Sequence, residues 1–250
     1  MSQTGKKNLV ITSIALYFTY FIHGIGASIM GQYKPELAAH WGAKTLSDGT
    51  MDVSMVVSVI AALGLGRLIA LPFAGPLSDK LGRRISTAIG SGSYAIYLIG
   101  LALAFNAGTN GGYTIAYVCA IIGGIANSFL DTGIYPAVSE IIYKAPGVAT
   151  MGIKFFISVS QMLLPFVLGV TVATTATGAT SYNTLFYACG IAYLILLVLV
   201  MIFPLPDTDQ KAAGKKEGLI DSLKHTHFSI ESVAMILIGF TCTGTFQLWL

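Results

Sequence analysis

Gly75-Pro76-Leu77-Ser78-Asp79-Lys80-Leu81-Gly82-Arg83-Arg84 is a polar stretch between two apolar runs, Met51–Ala74 and Ile85–Phe105. A helix rises 1.5 Å per residue, so roughly 20 apolar residues cross the hydrocarbon core of a bilayer. Both flanking runs meet that length. The ten residues between them therefore read as a short turn between two membrane-spanning helices, with Gly75 and Gly82 permitting a tight backbone.

Five further runs have the same character: Leu9–Met30, Tyr113–Tyr143, Gly147–Thr174, Leu185–Phe203 and Ser232–Leu250. Helices suit all seven, because each satisfies its own backbone hydrogen bonds in lipid. The short alternating strands of a membrane barrel are not apparent. Composition agrees. Of 250 residues 54% are hydrophobic and 10% charged, and the mean hydropathy is +0.75, whereas a soluble domain is about a quarter charged. The fold class expected is all-α and transmembrane.

Orientation follows from lysine and arginine in the connecting segments. With a cytoplasmic N-terminus, ten of the 14 fall inside: Lys6, Lys7, Lys80, Arg83, Arg84, Lys144, Lys211, Lys215, Lys216 and Lys224. Lys34 and Lys44 fall outside, in a first outer loop from about Gly31 to Thr50, and Arg67 and Lys154 lie within spans. Apolar runs this long are not secretory leaders. Cys119, Cys189 and Cys242 all lie in apolar runs with no CxxC spacing and read as buried hydrophobes. No basic, aromatic-interleaved patch suggests nucleic acid. No HExxH, metal-ligand cluster or nucleophile–base pairing suggests an enzyme, and no metal site is expected.

The ten-residue stretch resembles the signature of the major facilitator superfamily, G-x-L-[AS]-D-[RK]-x-G-R-[RK]. Gly75, Leu77, Ser78, Asp79, Lys80, Gly82, Arg83 and Arg84 match it, and it lies where that family places it, in the inner connection after the second span. The resemblance covers the whole chain. It implies a six-helix N-terminal bundle over residues 1–203, a cytoplasmic linker over 204–231, and the start of a second bundle over 232–250, truncated in an apolar run. It also implies a multi-pass protein of the cell membrane, working with membrane lipids around it, a small-molecule substrate, and a C-terminal bundle beyond this chain. In the family the motif acts as a latch that holds the inner gate shut. An acid at the inner end of the fourth span joins the same charge network, which assigns Glu140 to Arg83 or Arg84; the local alternative is an i,i+4 pair with Lys144.

Helix-packing signals are also legible. Ala62, Gly66, Ala70 and Ala74 recur every four residues on the second span. Gly24 and Ser28 on the first span repeat the device, and Gly123 and Gly124 lie on the fourth. Such small residues let helix backbones approach closely.

Charges inside spans are costly and face a cavity or one another. Arg67 on the second span and Asp131 on the fourth can pair, as a static ion pair or as a protonation switch. A carboxylate in a low dielectric can carry a proton near neutral pH, so Asp131 is the first candidate for proton coupling, with His23 on the first span the second. The alternative for His23 is a packed neutral imidazole. Asn127, one turn before Asp131, is a candidate substrate contact, as are Gln161, Arg67 and Lys154; Lys154, two turns from the inner end of its span, can instead snorkel to the interface. Tyr17, Tyr20 and Phe21 can stack on a sugar ring or simply pack. The fifth span reads Gln161-Met-Leu-Leu-Pro165-Phe-Val-Leu-Gly169 and lacks the G-x-x-x-G-P-x-x-G-G run of the superfamily's drug antiporters. An acid on the fourth span is similar to its sugar–proton symporters. The expectation is a secondary active transporter that moves a sugar or organic anion by alternating access, as a symport with H⁺ and no other cofactor. An exporter or facilitator of the same fold, or a non-transporting membrane scaffold or fragment, are the rivals.

Overall fold

The computed structural model describes residues 3–174, 179–203, 205, 206, 230, 233, 234 and 237. The chain divides into two compact units, residues 1–213 and 214–250. Most of the expected linker and nearly all of the expected seventh span lie outside the described residues.

Seven helices are described: α1 (Gln3–Gln32), α2 (Lys34–His40), α3 (Ser54–Leu81), α4 (Arg83–Ala107), α5 (Gly112–Ile141), α6 (Pro146–Thr174) and α7 (Ala179–Ile202). All but α2 are long and apolar enough to cross a membrane, so the first six expected spans are α1 and α3 to α7. The short connections make consecutive spans antiparallel. α5 packs against both α3 and α4, α7 against α4 and α1, and α6 against α1. Large apolar side chains such as Leu68, Phe73, Met162 and Phe166 remain exposed. In lipid an outward apolar surface carries no penalty, since helices there associate by close packing.

That packing is built on small residues. Ala62, Gly66, Ala70 and Ala74 are all buried on one face of α3. A Cβ on Gly66 would overlap the carbonyl oxygen of Ile121 on α5, and one on Gly124 would overlap that of Leu63 on α3. Gly24 meets Ser160 and Ile157 of α6 in the same way. Hydroxyls tie the spans where backbones touch: Ser78 Oγ donates to Thr132 O (3.0 Å), Ser86 Oγ to Phe129 O (3.0 Å), and Tyr193 Oη to Thr19 O (3.0 Å).

One expectation needs correction. The motif is not a loop. α3 continues through Pro72, Gly75 and Pro76 to Leu81, and α4 begins at Arg83. Prolines are tolerated in a membrane helix because neighbouring groups satisfy the freed carbonyls. Gly75 is thus helical, and a Cβ there meets nothing within 4 Å. The whole reversal falls on Gly82, with φ +97 and ψ 154, a region essentially confined to glycine. The first outer loop holds the short helix α2. Pro35 opens α2, whose fixed φ suits a first helical turn. His40 Nε2 lies 2.5 Å from Phe105 O and its ring stacks on Phe105, while Trp41 is buried. Beyond α2, Asp48 Oδ1 accepts from Thr50 Oγ1 (2.7 Å) and Thr50 N (3.0 Å), and these bonds hold its carboxyl below the usual range.

Candidate functional site

α5 presents Asn127, Asp131 and Tyr135 at i, i+4 and i+8, one stripe along one helix face. Small residues bring α3 against α5, and this contact places Arg67 beside Asp131. Arg67 Nη2 donates to Asp131 Oδ2 in an ion pair. The other carboxylate oxygen, Oδ1, accepts from Tyr20 Oη of α1 at 2.5 Å. Asp131 therefore joins three spans through one side chain. The Arg67 side chain is 43% exposed and that of Asp131 25%, so the pair lies at an open edge of the bundle rather than sealed in its core.

Rings surround the pair. Tyr20 meets Tyr135 edge-on at 5.5 Å and His23 at 5.5 Å. His23 in turn lies 4.9 Å from Tyr94 of α4. Lys154 of α6 places its Nζ 5.4 Å from the centroid of Tyr135, a cation–π contact. Arg67, Asp131, Tyr20, Tyr135, His23 and Lys154 thus form one continuous group drawn from α1, α3, α5 and α6. His23 Nδ1 and Asn127 Oδ1 are buried atoms without a hydrogen-bond partner. Buried polar atoms left unpaired are uncommon, and both lie on the elements that frame the pair. Gln161 stands apart, about two helical turns beyond Lys154 on α6. Tyr17 and Phe21 pack: Tyr17 stacks on Phe156 and donates to Ala149 O (2.9 Å), and Phe21 stacks on Phe18.

Tyr20 and Tyr135 were the residues least visible as partners of Asp131. Tyr135 carried a signal in its i+4 spacing from Asp131. A signal for Tyr20 exists too, since a buried tyrosine needs a partner for its hydroxyl, but which carboxylate supplies it depends on how α1 crosses α5.

At the end of the bundle that bears the motif, Arg83 is the hub. Its Nη1 donates to Asp79 Oδ1 (2.8 Å), Ser78 Oγ (3.3 Å) and Thr132 O (3.4 Å), and its Nη2 lies 3.5 Å from Glu140 Oε1. One guanidinium, 13% exposed, joins the end of α3, the start of α4 and the end of α5. Arg84 turns the other way and donates to Phe203 O just past α7 (3.2 Å).

The family profile of the Major Facilitator Superfamily matches residues 16–250. Among curated proteins, the MFS-type transporter YfkL of Bacillus subtilis (strain 168) is 31% identical over 244 residues, 96% of this chain and 57% of that protein. The inner membrane transport protein YdiM of Escherichia coli (strain K12) is 34% identical over 237 residues, 95% of this chain and 54% of that protein. The chain thus spans about half the length of the curated relatives it matches. Among solved structures, the xylose transporter XylE of E. coli in an inward open conformation superposes with a TM-score of 0.69 at 18% identity, over 93% of this chain and 59% of that one. At that identity the likeness concerns the fold.

Proposed function

The chain belongs to the Major Facilitator Superfamily, a family of membrane transporters, and from this premise we propose that it forms the N-terminal bundle of an H⁺-coupled symporter for a small polar solute. A second six-helix bundle supplies the other half of the site, and the two rock about it in alternating access. The N-terminus is cytoplasmic and the protein lies in the cell membrane. The motif end of the bundle then faces inward, where lysine and arginine concentrate.

The observation that carries this reading is the ion pair of Arg67 and Asp131 at an open edge of the membrane-spanning bundle. Asp131 is the coupling carboxylate. While it is charged, Arg67 and Tyr20 hold it and bind α1, α3 and α5 together. A proton on Asp131 removes the charge that Arg67 answers, so the guanidinium is released for solute and the contact between the spans loosens. His23, next to Tyr20, is the second candidate to carry the proton. Arg67, Lys154, Asn127 and Gln161 contact the solute, with Gln161 entering only as the bundles close.

Asp131→Asn keeps the shape but cannot exchange a proton. It is expected to lose accumulation driven by a pH gradient while solute exchange without a gradient continues. Undiminished uphill uptake by that variant would remove Asp131 from the coupling role. Gradient-insensitive efflux in the unaltered protein would favour the exporter or facilitator.

A further inference from the structure

We propose that the solute is a small organic monoanion whose carboxylate is gripped between Arg67 and Lys154. This rests on the transport reading above and deepens it by naming the substrate class. The described membrane-spanning cores carry Arg67, Lys154 and Asp131, two cations against one carboxylate; Asp79 and Glu140 belong to the motif end. The imbalance is local. Arg67 is bonded to Asp131, and Lys154 lies over Tyr135, the residue one turn beyond Asp131 on the same stripe. Among the described residues no carboxylate lies within ion-pair distance of Lys154.

An uncompensated cation in a span is costly unless something answers it. A ring face answers it in part. A neutral sugar would leave the charge where it is, whereas a carboxylate would cancel it. The geometry on the Arg67 side also suits a carboxylate. Guanidinium has five N–H donors in a planar fork. Asp131 takes Nη2, and the donors it leaves belong to a side chain that is 43% exposed. Arg67 thus offers a fork at Asp131, and Lys154 a point charge at Tyr135, one turn along the same stripe.

The test uses the full-length protein in proteoliposomes, with no pH gradient, and measures exchange of external label against internal solute. The panel pairs acids with neutral counterparts: glucuronate and gluconate against glucose, and lactate against glycerol, with xylose and inorganic phosphate added. We expect exchange of at least one monocarboxylate and none of its neutral counterpart. Lys154→Gln should then raise the KM for that acid about tenfold, the scale of losing one charge-assisted hydrogen bond, with the maximal rate changed far less. Lys154→Arg, which retains the charge, should restore most of the affinity. Exchange of a neutral sugar, or of phosphate, without any carboxylate would overturn the substrate class and leave the transport reading intact. An unchanged KM in Lys154→Gln, with carboxylate exchange preserved, would overturn the grip by Lys154. Exchange of no compound from any class would overturn the transport reading and this inference with it.

Discussion

At the scale of single residues, Asp131 decides how the site behaves. Its two oxygens are held by a cation and a hydroxyl on two different helices, so changing it disturbs three spans at once. Removing one member of an embedded ion pair leaves the other charge without an answer, which costs more than removing both. Arg67→Ala and Asp131→Ala should each destabilise the solubilised protein by about 1–3 kcal/mol, between the values for exposed and fully buried pairs because Arg67 is 43% exposed. The double variant should cost less than the sum of the two, by a coupling of about 0.5–3 kcal/mol, read from thermal or denaturant unfolding of all four proteins. Strict additivity would mean that the pair contributes nothing to stability.

At the scale of helices, packing by small residues separates glycines that look alike in sequence. Gly66→Ala and Gly124→Ala put a methyl group into the backbone of the facing helix, and both should lower the yield and melting temperature of folded protein. Gly82→Ala should do so as well, because its φ of +97 is the point where α3 reverses into α4. Gly75→Ala has open space around its Cβ and gains about 1 kcal/mol of helix propensity, so its melting temperature should not fall. Equal losses at Gly75 and Gly82 would contradict the observed end of α3. These contrasts also show what was legible beforehand. Apolar runs of about 20 residues disclosed the spans because lipid imposes their length, and the i, i+4 repeat disclosed the packing face of α3. Arg67 and Asp131 could be matched because charges in spans seek each other. The turn is misplaced from sequence because Gly75 and Pro76 break helices in water, while the bilayer tolerates them. Tyr20 reads in sequence as a ring that stacks or packs and not as a donor, since its partner depends on a crossing between α1 and α5 that no local pattern encodes.

At the scale of the molecule, the two charge clusters divide the labour. In the proposed transport cycle the open-edge cluster around Asp131 meets the solute, while Arg83 knits the motif end of α3, α4 and α5. If Arg83 and Glu140 help to close the inner gate, Glu140→Gln should favour the inward-open form. A cysteine placed on the inner half of α6 should then react about two- to fivefold faster with a water-soluble maleimide, the scale of a surface ion pair of up to 1 kcal/mol. A rate equal to that of the unaltered protein would confine the pair to a structural role. The central claim is that uptake is coupled to protons through Asp131. Its most direct test is uptake of labelled sugars and organic acids by the full-length protein in proteoliposomes, with and without an imposed pH gradient, beside Asp131→Asn. The account predicts gradient-driven accumulation of one solute class in the unaltered protein and only downhill exchange in the variant. Equal uphill accumulation by both proteins would contradict it.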